Sequence, residues 1–317
     1  MDSTQDIIAP IAKELLEAEL TKDRFVRNTN KGGNKIYDFV GTEAPKLMKE
    51  VGRLREISFR EAGGGTGKGA DIDDYDMAEV PYHQLIVWDP DEKEILGGYR
   101  YIMGNKIPRD ADGNVRLATS RMFHFSDNFL DNWLPYTIEL GRSFVQPQYQ
   151  SSKQGAKSLF ALDNLWDGLG SLIVNHPEMK YFFGKVTMYD HFNQEARDLI
   201  LSFMAKYFGD PDKLVYPLDS FKLKVELSDE EIKKIVKGDS FVDDYKSLNK
   251  RVRELGETIP PLVNAYMNLS PSMRSFGTAI NDRFGDVEET GIIITIKEFN
   301  KAKTQRHVES YNPNDLH

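Results

Sequence analysis

Glu139 and Arg142 stand three residues apart inside an otherwise apolar, β-prone run, Tyr136–Gln146. Buried charge is expensive unless it is paired or used, so this stretch is where chemistry is sought first. A carboxylate placed there suits general-base work. It equally suits a structural ion pair with Arg142 that orients the strand. Just downstream lies Gln148-Tyr-Gln-Ser-Ser-Lys-Gln-Gly-Ala-Lys157, small and polar, with Lys153 and Lys157. A loop of this kind, opening a helix, offers unpaired backbone N–H groups to an anion. Upstream, Asp71, Asp73, Asp74, Asp76 and Glu79 crowd together. Their spacing lacks the central Gly and closing Glu of a calcium loop. They form either a solvated acidic loop or an acidic mouth that attracts a cationic amine.

The elements that must position these residues are legible in the hydrophobic period. Ile138, Leu140, Phe144 and Val145 make residues 136–146 a strand that Pro147 ends. From Gly155 to Asn175 the apolar residues Leu159, Leu162, Trp166, Leu169 and Ile173 recur at helical spacing. A strand at 182–188 and a helix through Phe192, Leu199 and Phe203 follow, so at least one parallel βαβ-like unit is predicted. Before them come an amphipathic helix over 5–20, a strand at 36–40, a helix over 44–62 and a hairpin over 83–102 that turns at Asp89-Pro-Asp-Glu. Residues 104–135 are a polar excursion with an aromatic cluster, Phe123, Phe125, Phe129 and Trp133, of the kind that fills a core and less commonly lines a pocket. Exposed helices over 228–255, the segment Ile259–Met267 and a last strand at 291–296 complete the reading, with a polar, disordered tail over 301–317.

Composition excludes several classes. The 317 residues carry a formal charge of −9, against the electropositive surface of a nucleic-acid binder. Zero cysteines leave no disulfide, thiolate metal site or cysteine nucleophile. The six histidines show no metal-binding spacing, and no metal is expected. No basic n-region opens the chain and no apolar run reaches the roughly 18 residues needed to span a bilayer. A cytoplasmic protein is expected, with peripheral membrane contact through helix 5–20 as the minority reading. Gly63-Gly-Gly-Thr-Gly-Lys-Gly69 is no phosphate loop, because Gly rather than Ser or Thr follows the Gly-Lys pair; it reads as a flexible hinge. The Gly-x-Ser-x-Gly elbow of serine hydrolases is missing.

Glu139-Leu-Gly-Arg-Ser-Phe-Val145, with Pro147, Tyr149 and Leu165-Trp-Asp-Gly-Leu169, resembles the GNAT-fold acyltransferases once called hemolysins. These make ornithine and glycine lipids and are related to N-acyl amino acid synthases and acyl-homoserine-lactone synthases. The resemblance covers residues 45–300. It implies an α/β fold with a mixed sheet flanked by helices and helical additions at both ends. The implied layout is an N-terminal helix and strand (1–42), an acyltransferase core (43–217), a C-terminal helical extension with a final strand (218–300) and the tail (301–317). The implied reaction moves a fatty or 3-hydroxy fatty acyl group from acyl carrier protein to the α-amine of glycine or ornithine. A signal synthase, a CoA-dependent acetyltransferase and a membrane-active hemolysin are the alternatives. Ile259-Pro-Pro-Leu-Val-Asn-Ala-Tyr266 with Phe284-Gly-Asp286 resembles the lipid-forming members.

The same resemblance implies roles. Two parallel strands would splay at 136–146 and 181–188, and N–H groups near Phe144 and Val145 would hold the thioester carbonyl, worth about 3–4 kcal/mol in other acyl-transfer sites. Gln150, Lys153, Gly155, Ala156 and Lys157 would receive the donor's phosphopantetheine phosphate. The usual Arg/Gln-x-x-Gly-x-Gly/Ala pattern is not kept, since Gly155 and Ala156 are adjacent; this favours acyl carrier protein, with one phosphate, over coenzyme A. Either thioester would be a co-substrate, with no tightly bound cofactor. Glu139 would be the base for the amine. Arg55 with Phe59, Asp73 with Asp76, and Arg100 match acceptor-side patterns of the signal synthases. There Asp73 and Asp76 would hold an amine, and Arg100 or Arg121 a carboxylate.

Overall fold

The computed structural model describes residues 4–150 and 156–316. Its first elements are α1 (Lys13–Glu19), β1 (Phe25–Asn28), β2 (Lys35–Val40) and α2 (Pro45–Glu61). Helix α1 is half the length that the apolar period predicts. Residues ahead of it instead bond to the glycine loop, Gln5 N–H to Gly67 O and Ile8 N–H to Gly69 O. The carboxylate of Glu19 accepts from the N–H groups of Lys46 (2.9 Å) and Leu47 (2.8 Å), closing orphan donors at the start of α2.

The middle of the chain supplies β3 (His83–Asp89), β4 (Glu94–Met103), β5 (Phe123–Phe125), β6 (Thr137–Val145), α3 (Ala156–Asn175), β7 (Tyr181–Met188), α4 (Gln194–Phe208) and β8 (Val215–Pro217). After these come α5 (Asp229–Ile235), α6 (Phe241–Glu254), α7 (Pro261–Met267), β9 (Arg274–Asn281), β10 (Val287–Thr295) and α8 (Lys301–Lys303). Eight strands form one mixed sheet in the order β1-β2-β3-β4-β6-β7-β10-β9, and β5 pairs with β8 in a small second sheet. Of the pairings in the main sheet, β6 with β7 is parallel and the others are antiparallel. The final strand begins earlier than its isoleucines suggest, and its hairpin partner β9 goes unread in the sequence. Together they carry residues past 217 into the same sheet as the core.

Period-two alternation sends neighbouring residues to opposite faces. On one face Ile138, Phe182, Ile292 and Ile294 pack with Leu165 and Leu169 of α3 and Phe203 of α4. On the other, Phe183, Ile293 and Ile102 meet the excursion aromatics Phe123 and Phe129, which fill a core. Further along that face, Leu47, Val51 and Leu54 of α2 cover Ile86, Trp88 and Ile95.

Two expectations are corrected here. The glycine loop is anchored, not a loose hinge. Gly63, Gly65 and Gly67 take left-handed φ values of 95°, 98° and 75°. The buried Glu56 carboxylate accepts from Thr66 Oγ1 (2.7 Å) and Gly67 N–H (2.8 Å) and pairs with Arg60. The described part of the tail is ordered against α3. His307, 2 % exposed, places Nδ1 2.7 Å from Asp167 Oδ1. A Cβ on Gly170 would lie 1.9 Å from the His307 carbonyl oxygen, so only glycine fits beneath the tail. Among the described residues no helix is long and apolar enough to cross a membrane.

Candidate active site

Strands β6 and β7 pair only at Thr137–Tyr181, Ile138–Phe182 and Glu139–Phe183, then part. A bulge in β6 drives them apart. Gly98 faces Phe144 and Arg100 faces Gly141, so Arg142 and Ser143 together oppose Tyr99 alone. Arg142 takes φ 50°, a left-handed conformation costing a non-glycine residue roughly 1 kcal/mol or more. Beyond the bulge, Gln146 N–H donates to Leu96 O. Hydrogen-bonding direction alternates along a strand, so Phe144 turns its N–H toward β4 and Val145 turns its own toward the splay. The Val145 carbonyl, on that same side, accepts from Gln150 Nε2 (2.7 Å) and Ser58 Oγ (3.3 Å). Of the two amides expected at a thioester carbonyl, Val145 faces the gap and Phe144 belongs to the ladder.

Glu139 is the last paired residue before the strands separate, and it is 2 % exposed. Its carboxylate is not paired with Arg142. It accepts from the Tyr82 hydroxyl and from Thr119 Oγ1 (2.7 Å). Tyr82 in turn accepts the Ala118 N–H (2.9 Å), tying β6 to the 117–122 turn. Burial raises the Glu139 pKa above the usual carboxylate value, and it outweighs the two hydrogen bonds and the more distant charges of Lys185 and Arg100. Burial also lifts the Tyr82 phenol well above its ordinary value, with the Glu139 charge adding to it, so Tyr82 stays a donor. Neither Tyr82 nor Thr119 could be found from sequence, because both lie in irregular segments without period or motif.

The expected acceptor-side residues form a knot of mutual ion pairs. Arg55 is fully buried and bonds Asp76 (3.3 Å) and Gln84 Oε1 (2.5 Å). Arg100 grips Asp73 with both nitrogens (2.7 and 3.0 Å) and lies 3.1 Å from Asp76. Arg142 pairs with Asp71 at 2.7 Å and packs over the Phe284 ring at 4.2 Å. Burial pushes the Asp76 carboxyl up, but Arg55 and Arg100 outweigh it and hold the group well below the usual range. Asp71, Asp73 and Asp76 are therefore neither solvated nor a free acidic mouth, because three arginines occupy them; Asp74 and Glu79 of the same run stay exposed. Phe59 packs edge-on against Phe284 with centroids 5.1 Å apart. Arg121 pairs with Asp282 at the rim and covers the Phe221 ring.

One cavity of about 1170 Å³ runs through the splay and opens on both faces of the sheet. On the α2 face it is lined by Glu139, Tyr82, Thr119, Lys185 and Arg121, with Phe59, Asp73, Arg100 and Arg142 at its side. Arg55 and Asp76 stay behind this wall. On the α3 face it reaches Tyr149 and Gln150. Lys153 and Gly155 lie outside the described residues. Ala156 and Lys157 open α3. Among the described residues no three His, Asp or Glu side chains converge as a metal site would need.

Residues 54–159 match the model of the acetyltransferase (GNAT) domain. The chain is 57 % identical over 307 residues to a glycine N(alpha)-acyltransferase of Phocaeicola vulgatus, covering 97 % of this chain and 94 % of that one. It is also 57 % identical to a glycine N(alpha)-acyltransferase of Bacteroides thetaiotaomicron, covering 97 % and 90 %. The chain belongs to this family of GNAT N-acyltransferases. No solved structure matches it. As an acyltransferase of the family, it needs a place where thioester and amine meet, and the splay meets that requirement geometrically. The parallel βαβ unit and the mixed sheet agree with the fold that the sequence implies.

Proposed function

We propose that the protein transfers a fatty acyl group from acyl carrier protein to the α-amine of glycine, forming an N-acylglycine. The observation that carries this is the cavity open to both faces of the sheet, with Glu139 at its throat. The thioester enters from the side where α3 begins, and the Val145 N–H receives its carbonyl oxygen. Glycine approaches from the α2 face. Glu139, directly or through one water, takes a proton from the ammonium, and the free amine attacks the carbonyl carbon. A C–N bond forms and the C–S bond breaks; Glu139 hands the first proton to the departing thiolate, and the second, lost from the nitrogen as the amide forms, passes through the freed carboxylate to water. A raised carboxyl pKa brings the base closer to the amine it serves.

Arg121 is the guanidinium best suited to the glycine carboxylate. Its partner Asp282 is exposed, and opening an exposed pair costs about 0–1 kcal/mol. Arg100 would have to break a buried pair instead. The donor preference rests on the altered phosphate-loop pattern. Purified protein given 3-hydroxyacyl carrier protein and glycine should yield N-acylglycine by mass spectrometry, at a rate that falls with salt. Equal rates with acyl-CoA at every ionic strength would defeat the carrier assignment. Equal use of ornithine would defeat the acceptor assignment.

A further inference from the structure

The two openings of the cavity differ in chemistry. All the charged lining among the described residues lies toward α2. Toward α3 the walls are Leu162 and Leu165 of α3, Leu262 and Tyr266 of α7, and Phe182 and Ile292 of the sheet. Helix α7 comes from beyond residue 217, begins at Pro261 behind Ile259 and Pro260, and is seated against α3, with Tyr266 and Trp166 ring centroids 6.4 Å apart. Where the crevice meets solvent, Leu162 and Leu262 are 44 % and 38 % exposed, one from each helix. Two exposed leucines at the rim of an apolar wall are a poor arrangement for water and a good one for hydrocarbon.

We infer that the crevice between α3 and α7 binds the fatty acyl chain of the donor. The inference rests on the acyl-transfer reading above and adds where the chain lies and what measures its length. The occupant follows from continuity and from the walls. The crevice joins the splay where the thioester carbon must sit, so a chain attached to that carbon enters it without a turn through solvent. Pantetheine, which carries two amides, is better served beside Tyr149 and Gln150, where the cavity offers polar side chains, than between the leucines of α3 and α7. The α7 segment therefore acts as a wall that holds chain, and length selectivity resides in residues outside the matched domain.

The test compares octanoyl and palmitoyl thioesters of acyl carrier protein, as kcat/KM with glycine. Leu262→Trp adds bulk at an exposed position and should leave the fold intact. It should lower the palmitoyl value about fourfold for each methylene denied its contact, roughly 10- to 100-fold in all, and leave the octanoyl value within about twofold. Tyr266→Ala should move the ratio the other way, toward longer chains. Binding of unreactive octanoyl and palmitoyl thioethers of pantetheine, by calorimetry, reads the crevice without turnover. Chain-length-dependent binding that Leu262→Trp abolishes supports the inference even where no glycine is acylated, and in that case the acyl-transfer reading alone fails. An equal fall for both donors in a folded Leu262→Trp protein would overturn it, as would thioether binding that is indifferent to length.

Discussion

Two places beneath the α2 face of the sheet bury ionised or ionisable groups, and they do so in opposite ways. Around Arg55 the charges are matched: Asp76 meets Arg55 and Arg100, and both guanidinium groups are fully enclosed. Around Glu139 no cation among the described residues makes contact. The carboxylate has two hydroxyl donors, and its proton affinity rises. A matched pair is a locked structural part, because either member alone would be stranded. A carboxylate held by neutral donors can change protonation state without leaving a buried charge behind. On the acyl-transfer reading, that contrast separates the group proposed for proton transfer from the groups that build its surroundings.

The contrast breaks most sharply under isosteric substitution. Glu139→Gln should cut the single-turnover acylation rate by about 10²–10⁴-fold, with the melting temperature unchanged or higher. The sign follows from the raised pKa: the folded state holds this proton more tightly than the unfolded one. Ionisation of Glu139 therefore opposes folding as pH rises through the carboxylate range. A much lower melting temperature with a near-normal rate per folded molecule would reverse the assignment. Asp76→Asn should do the opposite and lose about 3–5 kcal/mol of stability, read by denaturant titration, by stranding Arg55. Because the folded-state pKa of Asp76 is depressed, its contribution is present above about pH 4 and is lost as pH falls toward the folded value.

Smaller changes sharpen the comparison. Tyr82→Phe removes a hydrogen bond to the charged form of Glu139, and bonds to charged groups are worth about 1.5–3 kcal/mol. The acid limb of the kcat/KM profile should move to higher pH by about one unit or more. A limb that stays in place would separate Tyr82 from the titrating group. Arg121→Ala should raise the glycine KM several-fold with little change in single-turnover rate at saturation, as loss of ground-state binding does. An unchanged KM would move the carboxylate site elsewhere, with Lys185 the next cation on the cavity wall.

What could be read in advance followed regular periods. The β6–α3–β7–α4 run was legible because its apolar spacing switches cleanly between two and 3.6. Glu139 stood out because a charge interrupts that pattern. Arg142 misled for a geometric reason. Residues three apart on a regular strand face opposite sides, and it takes the extra residue of the bulge to return Arg142 to the face of Glu139. The bulge, announced by no glycine or proline at position 142, aims Arg142 at Asp71 instead. The acidic run showed its charge but not its partners, since Arg55, Arg100 and Arg142 come from three separate elements. The tail contact of His307 with Asp167 spans 140 positions and follows no period.

The passage through the sheet also bears on how the enzyme finishes a cycle. Reactants arriving by opposite entrances need not wait for one another, so a ternary complex in either order of loading is expected. Their product is one molecule with its head on one side and its tail on the other. By either entrance, one half of it must first be drawn past Glu139. Departure is then expected to be slower than bond formation, and rapid mixing should show a first burst of N-acylglycine equal to the enzyme present, followed by a slower steady rate.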